Sequence, residues 1–116
     1  MVEITSKDNE KIKSTKLLLK SKNRNKESKF IIEGYRILTL AFEQKDIIDY
    51  VFINEDFENK EEHREFLKKL EEENIKVYKT TNKNFKDMVD TENTQGILAV
   101  VSYEKKTLEK NLTDDD

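Results

Sequence analysis

No cysteine occurs among the 116 residues, which excludes a disulfide framework and every thiolate metal site. It also fits a reducing cytoplasm, the compartment expected for this chain. A single histidine, His63, cannot assemble a multi-histidine metal centre. The two glycines, Gly34 and Gly96, are too few for either common glycine-rich phosphate loop. No apolar run approaches the roughly 20 residues needed to span a bilayer. The amino terminus, MVEITSKDNE, lacks the apolar stretch and small-residue cleavage site of a secretory signal. Hydrophobic residues make up only 34% of the chain and charged residues 41%. Disorder of that origin usually accompanies a large unbalanced charge, whereas here the net is −3. A chain of this length forms one compact domain that buries roughly two-thirds of its unfolded surface.

The apolar residues that remain fall at regular periods. Residues 7–28 carry a helical pattern with Ile12, Leu18 and Leu19 facing inward, closing in the polar run 21–26, which reads as a loop. Residues 29–33 form a β-type run stopped by Gly34. From Tyr35 to Lys45 a helical stripe contains Ile37, Leu38, Ala41 and Phe42. Residues 48–53 read as a buried strand. The clearest amphipathic helix runs from about 59 to 74, with His63, Phe66, Leu67 and Leu70 on one face. A strand over 75–79 follows, then a short helix holding Phe85, Met88 and Val89. The most apolar stretch, 96–103, should be a central strand buried on both faces. Strands alternating with helices imply an α/β domain with helices on both faces of the sheet. After Tyr103 the chain is polar and ends in three aspartates.

Charge is distributed unevenly. Between Lys11 and Lys29 there are eight cations against the single carboxylate of Glu27, a net of +7, so the remainder carries −10. A basic amino-terminal segment on an otherwise acidic domain is an electrostatic footprint for a polyanion. Lysine enrichment alone has a plainer explanation in AT-rich coding. The scarcity of acid in the segment does not, since glutamate codons are equally AT-rich.

Asn9 with Ile12-Lys13, then Lys22-Asn-Arg24, then the run Lys29-Phe30-Ile31-Ile32-Glu33-Gly34-Tyr35-Arg36 resembles the opening of the SpoU/TrmH-type RNA 2′-O-ribose methyltransferases. Thr94-Gln95-Gly96-Ile97-Leu98-Ala99-Val100 is similar to the strand motif that closes that family's amino-terminal domain. The resemblance covers residues 4 to 103 and implies a three-layer α/β/α sandwich with a mixed sheet, like the kink-turn-binding ribosomal proteins. It implies the RNA substrate-binding part of the enzyme, with structured ribosomal or transfer RNA as partner. S-adenosylmethionine would be the cofactor of a separate, knotted catalytic domain. The family's catalytic Asn-x-Gly and following Arg have no counterpart here. The expectation is therefore a truncated domain or fragment, residues 1–103, with 104–116 a linker toward an absent catalytic domain. Such a piece would have no catalysis of its own and would be monomeric, while its parent would be a homodimer. The competing readings are a stand-alone kink-turn-type RNA binder and a protein-interaction module.

The candidate RNA-binding residues are Lys13, Lys20, Lys22, Arg24, Lys29, Glu33, Gly34, Arg36, Thr94, Gln95 and Gly96. Lys22 and Arg24, read as loop residues, would follow a phosphate backbone without fixed geometry, and Lys13 and Lys20 would extend the patch along the helix. Gly34 permits positive φ or a close approach of RNA, or is simply a tight turn. Glu33 would accept from a base or ribose, or cap the following helix. Arg36 suits bidentate pairing with phosphate. Gln95 offers both donor and acceptor to a base edge, or bonds its own turn. Tyr35, if exposed, would stack on an unpaired base. His63 reads as a core-edge histidine, and the phenylalanines as core.

Overall fold

The computed structural model describes residues 1–102. The elements follow in the order β1 (Val2–Glu3), α1 (Glu10–Leu17), α2 (Ser21–Glu27), β2 (Lys29–Glu33), α3 (Tyr35–Ala41), β3 (Ile48–Ile53), α4 (Glu61–Glu72), β4 (Lys76–Lys79), α5 (Asn82–Lys86) and β5 (Ile97–Ser102). A 3-10 segment, Phe42–Ile47, follows α3, and another, Phe57–Asn59, precedes α4. The expected linker 104–116 and Tyr103 lie outside the described residues.

One five-stranded sheet has the order β1-β4-β3-β5-β2. β1, β4 and β3 run parallel, and β5 is antiparallel to both β3 and β2. β3, α4 and β4 make a βαβ unit, the connection that parallel neighbours require. Helices cover both faces, so the three-layer α/β sandwich with a mixed sheet expected from the sequence is the architecture observed. On one face α3 and α4 bring Leu38, Phe66, Leu67 and Leu70 against Val51, Ile53, Val77, Ile97, Ala99 and Val101. On the other, Ile12 and Leu18 with Phe85, Met88 and Val89 cover Tyr50, Phe52, Leu98 and Val100. β5 is buried at every position, as its apolar run indicates.

β3 departs from simple alternation. Ile48 pairs with Val101 and Tyr50 with Val100, so Asp49 is an extra residue. Such a bulge turns the strand locally, and here it sends Ile48 to the α3–α4 core while Tyr50 faces the opposite one. Asp49 is left at the strand's edge, where it accepts from Ser102 Oγ at 2.8 Å and pairs with Lys29 Nζ at 3.0 Å.

Several boundaries differ from the sequence reading. The 7–28 helix is two helices, and the run 21–26 is helical rather than a loop. α2 has no buried residue, so hydrophobic periodicity cannot reveal it. It is fastened by polar contacts to the end of α1: Arg24 Nη1 donates to the carbonyls of Leu18 and Leu19, both at 3.0 Å, and Asn23 donates to Leu17. These satisfy carbonyls that a helix end otherwise leaves without partners. α3 stops at Ala41 and tightens into 3-10 geometry, and Ile37, expected inward, is 45% exposed. The amphipathic helix starts at Glu61, after its 3-10 turn. The two-residue β1 was not legible, being too short to show a period. Its edge position comes from pairing with β4 and from Ile4 N–H donating to the Lys79 carbonyl.

Tyr50 has its hydroxyl 2.6 Å from Thr15 Oγ1 in the α1–α5 core. Burial, first of its causes, pushes the phenol above its usual 10.0. The hydrogen bond to Asp49 raises the Lys29 ammonium above 10.5. Both groups hold protons more tightly when folded, so the folded chain binds more protons in this range. Stability is therefore expected to fall as pH rises above about 10, and Tyr50→Phe is expected to flatten part of that decline. Urea midpoints measured from pH 8 to 11 check both outcomes.

Candidate nucleic-acid interface

The carboxyl ends of β1, β3 and β4 lie at one edge of the sheet, since Ile53 and Glu3 are both level with Lys79. Glu33, at the end of β2, and Ile97, at the start of β5, reach the same edge. Crevices at strand carboxyl ends are where α/β sheets commonly bind ligands.

Two glycines shape this edge. Gly34 has φ +119 and Gly96 φ +84, conformations that L side chains rarely adopt. Gly34 N–H donates to the Ile97 carbonyl at 3.0 Å, and Asn54 N–H to the Gly96 carbonyl at 3.0 Å. A Cβ on Gly96 would stand 2.4 Å from Asn54 Oδ1. That oxygen is engaged, accepting from the backbone N–H groups of Asp56 and Phe57 at 3.1 and 3.0 Å. The glycine thus leaves room for the turn that starts the Phe57–Asn59 segment.

Side chains complete the joint. Glu33 Oε1 accepts from Thr91 Oγ1 at 2.7 Å, and Glu33 Oε2 accepts from Thr94. Thr94 Oγ1 also accepts from Gly96 N–H at 3.1 Å. Gln95 Oε1 accepts from Tyr35 N–H at 2.8 Å, across a separation of 60 residues. Glu33 is therefore not the cap of α3. Gly34 occupies the cap position without a side chain, and the acceptor comes from Gln95, which bonds neither its own turn nor its own strand. Tyr35 is also not an open stacking platform: its ring packs 4.7 Å from His63 and 5.4 Å from Phe66. His63 is buried, stacked at 3.9 Å on Phe57, with Nδ1 2.8 Å from the Phe57 carbonyl. Its place at the core edge agrees with its spacing in the sequence.

The expected site residues divide into groups. Glu33, Gly34, Thr94, Gln95 and Gly96 meet in one joint, and Arg36 lines the same hollow as Glu33, Gly34 and Gln95. Arg24 lines a neighbouring depression that shares Glu33 and Thr91 with that hollow. It sits on α2, not in a loop, and its guanidinium is engaged with α1. Lys22 is likewise helical and exposed, with Lys13 exposed on α1 and Lys20 at the cap position of α2. Lys29 stands at the other end of β2, paired with Asp49, and is separated from the Gly34 edge by the strand's length. Lys13, Lys20, Lys22 and Arg36 have no ion-pair partner among the described residues. Asn54 and Lys60 escaped the sequence reading. Asn54 ends a strand and Lys60 precedes a helix, and neither position carries a motif. No group of side chains suited to holding a metal ion, and no helix long and apolar enough to cross a membrane, occurs among the described residues.

A mixed sheet between two helical layers, with a glycine-shaped joint at the strand ends, defines the class of domain. The family model described as the MRM3-like substrate binding domain matches residues 9–99. The chain belongs to that family, in agreement with the resemblance carried by its two glycine motifs. Its fold is similar to that of an rRNA methyltransferase from Sinorhizobium meliloti, at TM-score 0.71 and 18% identity over 87% of this chain. The AdoMet-bound rRNA methyltransferase from the same organism matches at TM-score 0.68, with 19% identity over 86% of this chain. An RNA 2′-O ribose methyltransferase matches at TM-score 0.69, with 24% identity over 87% of this chain. The chain spans 36 to 37% of the length of these structures. No curated protein sequence is a significant match.

Gly96→Ala combines a backbone strain with an overlap on Asn54, and is expected to lower stability by about 2–4 kcal/mol. Gln95→Ala, which removes only the acceptor for Tyr35 N–H, is expected to cost about 1 kcal/mol. Chemical denaturation measures both, and hydrogen exchange at the Tyr35 amide reports the second directly.

Proposed function

We propose that this domain binds structured ribosomal or transfer RNA, as the substrate-binding part of an S-adenosylmethionine-dependent RNA 2′-O-ribose methyltransferase. The reading rests on family membership, and one observation carries it to particular residues. Arg36, Lys13, Lys20 and Lys22 are cations without ion-pair partners among the described residues, whereas the carboxylate of the joint, Glu33, is engaged by two threonines. Cations that need break no internal pair to meet a phosphate bind it at the least expense. The rigid joint sets the direction of α3 and hence the place from which Arg36 reaches out.

Methyl transfer belongs to a domain other than this one. The AdoMet-bound relative is longer than this chain, and S-adenosylmethionine would supply the methyl group there. The role of the present residues is to hold and orient RNA. By itself the domain is monomeric in this reading, and the parent enzyme is a cytoplasmic homodimer whose pairing lies in its catalytic part. A protein-contact role is the second reading, favoured by the exposure of Ile37 and Leu40, at 45% and 62% on α3.

Titration of a labelled ribosomal RNA fragment separates the two. With roughly four phosphate contacts to unpaired RNA, log K is expected to fall with log salt at a slope of about −3. The double variant Lys13→Glu plus Lys22→Glu is expected to reduce affinity about tenfold or more and to make that slope shallower by roughly 1–2. Absence of binding at about 50 mM salt, or affinity indifferent to both substitutions, favours the protein-contact role.

A further inference from the structure

Between the amino ends of α3 and α4 lies a hollow of about 520 Å³, bordered by Tyr35, Arg36, Asn54, Lys60, Glu62 and Gln95. We propose that it seats one unpaired nucleotide, with the base inside and the sugar-phosphate under Arg36 and Lys60 at the rim. This rests on the RNA-binding reading and adds to it a base-sized subsite on the α4 side of the joint.

Three features point there. The volume falls within the range of about 300–1,000 Å³ typical of small-molecule sites. Two amide groups are held with their nitrogens spare. The carbonyl oxygen of Asn54 is fixed by Asp56 and Phe57, and that of Gln95 by Tyr35. Neither NH2 group has a partner among the described residues. Asn54 is largely buried, yet no buried side-chain nitrogen or oxygen lacks a partner among the described residues, so its spare NH2 group reaches solvent and is open to an incoming acceptor. The half-buried Tyr35 ring, packed against His63 and Phe66, lines the same hollow and offers apolar contact to the edge of a base rather than an open stacking face.

Charge decides between a base and a bare phosphate. Arg36 and Lys60 are offset by Asp56 and Glu62, which border the same hollow. A phosphate wholly inside would meet two carboxylates, whereas a neutral base meets donors from the amides and acceptors from the carboxylates. Only the rim cations, neither of which is ion-paired among the described residues, then address the backbone.

The test is a titration of the 15N-labelled chain with the four 5′-nucleoside monophosphates and with ribose 5-phosphate, read by NMR. At least one monophosphate is expected to shift the side-chain NH2 signals of Asn54 and Gln95 and the backbone amide of Lys60, with a Kd of about 1–10 mM. Ribose 5-phosphate is expected to leave the NH2 signals in place. Equal shifts from ribose 5-phosphate, or no shifts at all, overturn the proposal. Lys60→Ala is expected to weaken the responding nucleotide about threefold to fivefold without changing thermal unfolding, and an unchanged Kd counts against the rim assignment. RNA binding without nucleotide shifts would remove the subsite and leave the domain's role standing. Nucleotide shifts without RNA binding would do the reverse.

Discussion

Gly96 lies so close to Asn54 that a single added carbon would stand 2.4 Å from the amide oxygen. The geometry of the strand-end edge depends on that approach. It lets Asn54 turn the chain after β3, which drops Phe57 beneath His63 and starts α4. On the other side of the same glycine, Thr94 and Gln95 reach Glu33 and the first amide of α3. Two connections distant in sequence are thereby joined at one point, and both helices of the α3–α4 layer begin there.

The joint also divides its polar residues into those already hydrogen-bonded within the protein and those that are not. Glu33 and the oxygen of Gln95 have the chemistry to meet RNA, yet each is already satisfied inside the protein. A buried or half-buried carboxylate with two hydroxyl donors is a poor acceptor for an outside group. What remains for a ligand are groups whose partners are missing: the cations of Arg36 and Lys60 and the amide nitrogens of Asn54 and Gln95. The same division applies to the basic segment. Arg24 and Lys29 are committed to α1 and Asp49, while Lys13, Lys20 and Lys22 are not. The +7 segment is thus a smaller electrostatic resource than its count suggests.

Much of this architecture is legible in the chain. Alternating runs of β-branched residues and helical stripes mark four of the five strands and the α4 helix, because burial of apolar side chains imposes periods that sequence displays directly. β5 is evident from its unbroken apolar run, and the two glycine motifs carry the family resemblance. α2 and β1 are invisible for the opposite reason: neither buries a residue, and their places come from hydrogen bonds to neighbours. The Asp49 bulge is similarly hidden, since one additional residue leaves no mark on composition while reversing which core Ile48 enters.

The sequence by itself determined the layers, the central strand, the surplus of cations near the amino end and the family to which the chain belongs. These follow from local periodicity, charge and motif, none of which needs a distant partner. Tertiary structure alone decided which polar groups are spent and which are free. Gln95 caps a helix that starts 60 residues earlier, and Asn54 becomes half of a paired amide site only when β3 and β5 lie side by side. Hydrogen-bond satisfaction is a property of meeting in space, and it appears only once the chain has folded.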